Sequence, residues 1–467
     1  MVVRRIVVIG ADAAGMSAAN QALRVAARHS ERIEVVAFER SHHTSYSACG
    51  IPYWVAGDVA DQQALVARTA EQHRRNGIDL RLRQEATVLD IDSQTVEARD
   101  VDAGTTSTLG FDEVVVATGA EPVRPDVPGA DAAGVIGIQT LDDGARLLGW
   151  LDTAKRRRSA PCRAVVVGAG YIGVEMAEAL LRHGCEVCLV DRAQQPMTTL
   201  DPDMGALVRS AIEDLGVEVV TDASLLGFEV ESDDDNSRVR TVVTDRASYD
   251  ADVVVLGMGV RPNTDMAAAA GLPTGTHGGI STDPRMAVHG HDGVWAAGDC
   301  VESFDRVSQR WVHVALGTHA NKQGRVLGTN LGGGYATFPG IVGSAASKIC
   351  ALEIARTGLR EADALEAGYR YVVGRAESTT RAGYFPGSKP VTVKVLAEQG
   401  TGRLLGAQIV GHGAGSAQRI DACAIAVWNE MTAAELMMAD LSYAPPFSPV
   451  WDPVQIAARR ATEALDG

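Results

Sequence analysis

A short β-branched run, a glycine turn, an alanine-rich stretch and a second apolar run ending in an acid occur in that order twice. No other feature of the chain constrains its fold as tightly. The first copy reads RRIVVIGADAAGMSAANQALR and then IEVVAFE, with Gly10, Ala11, Ala14 and Gly15 in the turn and Glu39 as the acid. The second reads CRAVVVGAGYIGVEMAEALLRHGCEVCLVD, with Gly168, Gly170 and Gly173 in full G-x-G-x-x-G spacing and Asp191 as the acid. Each predicts a strand–turn–helix–strand unit of the dinucleotide-binding kind. The first glycine permits the tight turn and the second lets backbone approach a pyrophosphate. The third lets helix and strand pack closely, the helix N-terminus faces phosphate, and the acid accepts from a ribose hydroxyl. The first copy departs from the pattern, with Asp12 at the middle glycine, and an ordinary βαβ crossover is its bland alternative.

Two such units imply two dinucleotides. FAD with NADH or NADPH is the economical pair, because two nicotinamide sites would have no electron route between them. The expected cofactor residues are Gly10, Ala11, Ala14, Gly15, Glu39 and Arg40 in the first unit. In the second they are Gly168, Gly170, Tyr171, Ile172, Gly173, Glu175 and Asp191. Asp191 favours NADH, whereas the adjacent Arg192 could accept the 2′-phosphate of NADPH. EVVVATGAEP (113–122) adds Thr118 and Gly119, and DVVVLGMGVRPN (252–263) adds Gly259. GVWAAGDC (293–300) reads as a buried strand ending in Gly298-Asp299, an acid able to hold the flavin's ribityl hydroxyls. THANKQGRVLGTNL after it reads as a helix whose N-terminus could stabilise a reduced, anionic flavin. From about residue 336 the pattern changes to alternating segments such as PVTVKVLAE and GRLLGAQIVG, which predict an antiparallel sheet with helices. The expected class is α/β, with two Rossmann-like domains for FAD and NAD(P) and a C-terminal α+β domain. The boundaries read as 1–150 and 276–335 for the FAD part, 151–275 for the NAD(P)H part and 336–467 for the last. KRRRSAPC before the second unit reads as a solvated linker.

The formal charge, 43 − 59 = −16 over 467 residues, argues against nucleic acid or an anionic membrane as partner. An anionic small ligand then needs local arginines. Seven cysteines without framework spacing predict a reducing, cytoplasmic compartment. The longest apolar stretch, 164–181, carries Glu175 and Glu178, so no membrane span is expected. The run after Arg4-Arg5 passes straight into the glycine turn, so it is a strand rather than a leader.

SYSACGIPYW (45–54) holds a single cysteine, Cys49, with no second one nearby. It reads either as a buried filler or as a lone reactive thiol. Pro52 suits a first helical turn, which would put Cys49 at a helix N-terminus and favour its thiolate. Cys185 and Cys188 have redox-pair spacing but sit on a strand, pointing to opposite faces, so both are expected in the core. His42-His43 suggests a metal, but with no acid or cysteine placed to complete a site a solvated loop is expected and no metal.

Taken together, the two fingerprints, ATGAEP, AAGD, ANKQGR and SYSACGIPYW resemble the pyridine-nucleotide disulfide oxidoreductases over essentially the whole chain. Within them the chain is most similar to the single-cysteine branch of coenzyme A disulfide reductases, NADH oxidases and NADH peroxidases. The resemblance implies that the last domain is a dimerisation domain and that Cys49 cycles through a mixed disulfide or a sulfenic acid. Peroxidases carry a histidine where this chain has Ala13, which counts against that activity and more weakly against water-forming oxidases. YAPPFS and YFPG match coenzyme A disulfide reductases, and there Tyr443 and Tyr384 would reach the cysteine of a partner subunit. Gln21, Arg24 and Ser45 match coenzyme A contacts beside Ala13. The family's lysine contact falls near Asn76, with Arg75 adjacent as the candidate replacement. No C-terminal rhodanese extension is read, so the fused persulfide-reducing variant is not indicated. The resemblance therefore implies a homodimer with shared sites that reduces coenzyme A disulfide through Cys49, Tyr384 and Tyr443. The alternatives are an NADH oxidase using O₂, a reductase of another acceptor such as a protein partner, and a non-catalytic thiol sensor.

Overall fold

The structure is a computed structural model that describes residues 3–157, 160–233, 236–413 and 415–466. Two five-stranded parallel sheets and one five-stranded antiparallel sheet carry the architecture. The first sheet is centred on Arg4–Ile9, flanked by Ile33–Glu39 and Glu113–Val116, with Val294–Ala296 at one edge and Ile78–Leu82 at the other. These β-branched runs are buried on both faces, as parallel strands under helices must be. Val294–Ala296 returns to this sheet from far along the chain, so the first unit is built from two separated segments.

The second sheet runs Glu218–Val220, Glu186–Val190, Arg163–Val167, Val253–Leu256 and Val135–Gly137. Val135–Gly137 precedes the expected boundary at 151, and the helix Leu141–Arg157 spans it. Leu141, Leu147 and Leu151 pack into the core of the second unit. That unit therefore starts before residue 135, and the two units are joined by a ribbon that pairs Ala120–Pro122 with Val260–Pro262. At the far side Ala267 and Leu272 already belong to the first core, so the chain returns before the expected 276. Phe338 still packs on that core, and the last sheet opens at Ala345 rather than near 336. The run read as a linker is in part helical: Lys155 and Arg156 continue the Leu141–Arg157 helix, while Arg158 and Ser159 lie outside the described residues.

In the last unit Pro390–Glu398 and Leu404–His412 pair antiparallel at the centre of the sheet, under the helices Ile420–Trp428 and Pro453–Asp466. Two three-stranded meanders, within 84–110 and 225–250, decorate the parallel units. Cys185 packs into one core of the second unit and Cys188 into another, as strand alternation requires. No helix among the described residues is long and apolar enough to cross a membrane.

The helix Ala13–Arg28 lies against Gly317–Leu331, and the second helix explains how closely. Its Gly324 and Gly328 face carbonyls of the first, and a Cβ on either would sit 2.3 Å from Ala14 O or Ala18 O. Backbone thus touches backbone, which fixes both helix N-termini relative to the first glycine turn.

Candidate functional site

The two glycine turns are built alike. A Cβ on Gly10 (φ +95°) would lie 2.1 Å from Ala117 O, and one on Gly168 (φ +99°) 2.4 Å from Gly257 O. Only glycine fits there, because both the backbone angle and the neighbouring strand exclude a side chain. At the third position, Cβ atoms on Gly15 and Gly173 would meet Gly10 O and Gly168 O within 2.0 Å. The acids close each turn. The Glu39 carboxylate accepts from Ala11 N–H at 3.0 Å and Ser41 N–H at 2.9 Å. The Asp191 carboxylate accepts from Ala169 N–H at 2.5 Å and Ala193 N–H at 2.7 Å. Gly170 caps the second helix, and the one atom near a Cβ there is Gly257 O at 3.9 Å, so its backbone stays approachable.

Asp12, the odd residue of the first turn, leaves its own helix uncapped. Its Oδ1 instead accepts from Tyr46 N–H at 3.2 Å. Thr44 Oγ1 donates to Ala11 O, a second tie between the first turn and the segment that carries Cys49. Burial pushes the Asp12 carboxyl up to about 7, Tyr46 N–H pulls it partly back, and Glu39 and Asp299 add to the rise.

Cys49 sits in the single turn Ala48–Gly50, followed by a helix of five residues, Ile51–Val55. Ile51 and Val55 anchor that helix in the second unit's core, and His183 Nε2–H donates to Val55 O at 2.6 Å. The expected lowering of the Cys49 thiol by a helix N-terminus is not what the site produces. Desolvation by the surrounding protein raises it above the ordinary thiol value, and the carboxylates of Glu175 and Asp299 raise it further. A five-residue helix has little dipole to set against two acids. Glu175 receives Ser347 Oγ–H at 2.6 Å and Tyr53 O–H at 3.3 Å, and burial raises its own carboxyl. Asp299 is likewise raised by burial, and its backbone carbonyl accepts from His313 Nε2–H at 2.7 Å. The sign of the pH dependence follows. Reaction of Cys49 with iodoacetamide, followed by mass spectrometry of its peptide, should quicken about tenfold per pH unit from pH 6 to 8 without a plateau. Glu175→Gln should move that curve to lower pH.

Beside this segment lies a cavity of about 370 Å³ running along the first helix from Asp12 to Arg24. The expected residues Ala13, Gln21, Arg24 and Ser45 all line it. Arg75 does not: it ends the short helix Ala70–Arg75 on an exposed face. The cations that join Arg24 are Arg68 and Arg325, which the sequence reading missed. Arg325 is four residues beyond Asn321 on the helix Gly317–Leu331, and Asn321 accepts from Ser17 Oγ–H at 2.8 Å, so helical spacing was the available signal.

The remaining candidates group as follows. Thr118 Oγ1 donates to Asn263 O at 2.6 Å, and Gly119 and Gly259 flank the ribbon between the units. Arg40 opens on a second cavity of about 450 Å³ with Arg124, Arg146 and Arg261. Gly298 N–H donates to Gln323 Oε1 at 2.8 Å, which seats Asp299 against the helix Gly317–Leu331. Tyr171 and Ile172 begin the second helix. Tyr384 and Tyr443 come together, exposed, with Ala382 N–H donating to Pro445 O at 3.1 Å between their loops. Desolvation and a hydrogen bond with Tyr384 raise the Tyr443 phenol. An acid does lie near His42 and His43: Asp142, at 3.3 and 3.7 Å. Among the described residues the one set of acidic groups close enough to share an ion is Asp201, Asp203 and Glu361, and Lys394 Nζ already sits among them.

Residues 4–324 match the family model for pyridine nucleotide-disulphide oxidoreductases, and residues 344–453 match the dimerisation domain of the same family. The chain belongs to this family. It is 35% identical to an NADH oxidase of Methanocaldococcus jannaschii over 99% of both chains. It is equally 35% identical to the NAD(P)H sulfur oxidoreductase (CoA-dependent) of Pyrococcus abyssi over 98% of both. Among solved structures, reduced CoADR-RHD of Bacillus anthracis superposes with a TM-score of 0.92 at 30% identity, covering all of this chain and 81% of that one. Members of this family use FAD and a nicotinamide nucleotide, and this chain fits both. The two turns offer backbone N–H groups at helix starts, and Gly170 leaves the space over one of them free of side chain. The first unit, with Gly298 and Asp299, would hold FAD, and the second would hold NAD(P)H.

Proposed function

We propose that this oxidoreductase reduces a small anionic disulfide or persulfide of the coenzyme A class through Cys49, in a homodimer with shared sites. The observation that carries this reading is the union of a lone cysteine with an arginine-lined cavity in one segment: Ser45 and Tyr46 wall the cavity, and Cys49 follows in the same loop. Cys49 forms no disulfide and its segment holds no second cysteine, so the second sulfur would arrive with the substrate. Bound FAD would take hydride from NAD(P)H and supply that electron pair at the Cys49 side. The Cys49 thiolate attacks one sulfur of R–S–S–R, forming Cys49–S–S–R and releasing RS⁻. Two electrons and a proton then return Cys49 to thiolate and release RSH. Tyr384 and Tyr443 of a second copy would hydrogen-bond the departing thiolate. Their exposure, with Phe447, Val450 and Trp451 exposed nearby in sequence, suits a surface covered by that copy. Arg24, Arg68 and Arg325 would hold substrate phosphate.

The test is NAD(P)H consumption with coenzyme A disulfide, together with the non-reducing mass of the isolated protein. Turnover and a reductant-labile coenzyme A adduct support the reading. NADH oxidation matched by oxygen uptake and indifferent to disulfide supports the second reading, an NADH oxidase, which the M. jannaschii relative's name favours. Replacing Arg24 and Arg68 together by alanine should raise KM for coenzyme A disulfide roughly tenfold or more, with kcat little changed. KM for uncharged hydroxyethyl disulfide should not move.

A further inference from the structure

One polar chain beside the cavity, built on a buried histidine, has no part in the scheme above. His73, 1% exposed, lies on the short helix Ala70–Arg75 and touches Asn20 and Ser45. Its proton can be assigned from its neighbours. Asn20 Nδ2 lies 2.7 Å from Met16 O, and a carbonyl only accepts, so that atom is the amide NH₂. The opposite end agrees, because Asn20 Oδ1 accepts from Asn76 Nδ2 at 3.1 Å. The same NH₂ faces His73 Nδ1 at 3.1 Å, so Nδ1 is the acceptor and bears no hydrogen. A neutral imidazole then carries its hydrogen on Nε2, which lies 2.9 Å from Ser45 Oγ and donates to it. Burial, with Arg68 adding to it, lowers His73 to about 4, so the neutral ring persists through the physiological range.

The consequence falls on Ser45. Its oxygen is already engaged as an acceptor, so its own hydrogen is left to point elsewhere, and Ser45 lines the cavity. Its backbone is equally fixed, in the left-handed region at φ +48°, with its carbonyl accepting from Ala67 N–H at 2.8 Å. We propose that the chain Asn76–Asn20–His73 makes Ser45 a one-way hydrogen-bond donor toward the sulfur that leaves when Cys49 attacks a disulfide, with His73 as the positioning residue. This rests on Cys49 acting as the attacking thiol, as proposed above. No proton is transferred: the Cys49 thiolate bonds one sulfur of R–S–S–R to form Cys49–S–S–R, the disulfide's S–S bond breaks, and Ser45 O–H solvates the RS⁻ released.

The dependence on the leaving group separates this role from a structural one. An alkyl thiolate is a poor leaving group and gains from a donor, whereas an aryl thiolate of low pKa leaves unaided. The probes are hydroxyethyl disulfide and 5,5′-dithiobis(2-nitrobenzoate), and the readout is the rate of mixed-disulfide formation at Cys49 by mass spectrometry of the FAD-loaded protein. His73→Phe should slow the alkyl exchange about tenfold or more and the aryl exchange less than about twofold. Ser45→Ala should do the same, and the double variant should be no slower than either single one. His73→Gln, whose amide can accept from Asn20 and donate to Ser45, should recover much of the loss. Equal slowing of both probes, additive losses in the double variant, or an unchanged alkyl rate in His73→Phe would each overturn the proposal. Because neither probe contains coenzyme A, failure of the wild-type protein to turn over coenzyme A disulfide would count against the proposed substrate and leave this result readable.

Discussion

Cys49→Ser should leave a protein that binds FAD, is reduced by NAD(P)H, and no longer reduces disulfides. Loss of turnover should reach about a thousandfold or more, because serine has no accessible anion at neutral pH and cannot form the mixed disulfide. No other cysteine can stand in. Cys162, Cys185, Cys188, Cys300 and Cys423 are buried. Cys350 is exposed, but burial of its thiol and the neighbouring Glu178 carboxylate hold it up at about 11. It also sits in the turn after Ala345–Ile349, against the second unit's helix rather than the cavity. Stopped-flow absorbance should show rapid bleaching of the flavin by NADH in both proteins, and reoxidation by coenzyme A disulfide in the wild type alone. Reoxidation by disulfide at the wild-type rate in the variant would mean that the electrons bypass Cys49.

The parts of this molecule that could be read from sequence are those whose cause is local. Gly10, Gly15, Gly168 and Gly173 are dictated by atoms a few residues away or on the adjacent strand, so their spacing alone announced both turns. The strand Val294–Ala296 and the central pair of the last sheet were equally visible as apolar or alternating runs. What was not visible depends on contacts across the chain. Asp12 looked anomalous because its partner, Tyr46 N–H, belongs to another loop. The boundary at 150/151 failed because Val135–Gly137 joins the second sheet as its outer strand, ahead of the glycine motif that marks that unit. The thiolate expectation for Cys49 weighed the helix and could not weigh Glu175 and Asp299, which arrive from other segments. Arg75 lies nearest in sequence to the family's lysine contact, whereas the fold turns Arg68 and Arg325 toward the cavity.

Lys394→Met should destabilise the folded protein by about 3–5 kcal/mol at pH 7, towards the lower end because two of the three partners are partly solvated. Lys394 Nζ reaches Asp201 at 3.0 Å, Asp203 at 2.7 Å and Glu361, with the lysine and Asp201 almost wholly buried. Asp201 is held besides by Gln408 Nε2–H at 2.7 Å and Glu361 N–H at 2.9 Å, so it cannot swing out to water when the cation is lost. Burial alone would lower Lys394, but the three carboxylates together outweigh it and hold the lysine above its ordinary value. A lysine raised in this way contributes its full stability below the unfolded lysine pKa and loses it only as pH climbs through the folded one. Wild-type stability from this cluster should therefore be flat between pH 6 and 8. In the variant the sign passes to the acids. Crowded together without a cation, they bind protons more readily folded than unfolded, so the deficit should shrink as pH falls from 7 towards 5. Urea unfolding of both FAD-loaded proteins across that range measures it, and a deficit that grows on acidification would show that the carboxylates remain compensated without Lys394. The cluster joins the start of the helix Pro202–Asp214 in the second unit to the last sheet, so its loss should loosen the seating of that unit as well. Limited proteolysis between the second unit and the sheet that begins at Ala345 should then be faster in the variant at pH 7 than at pH 5.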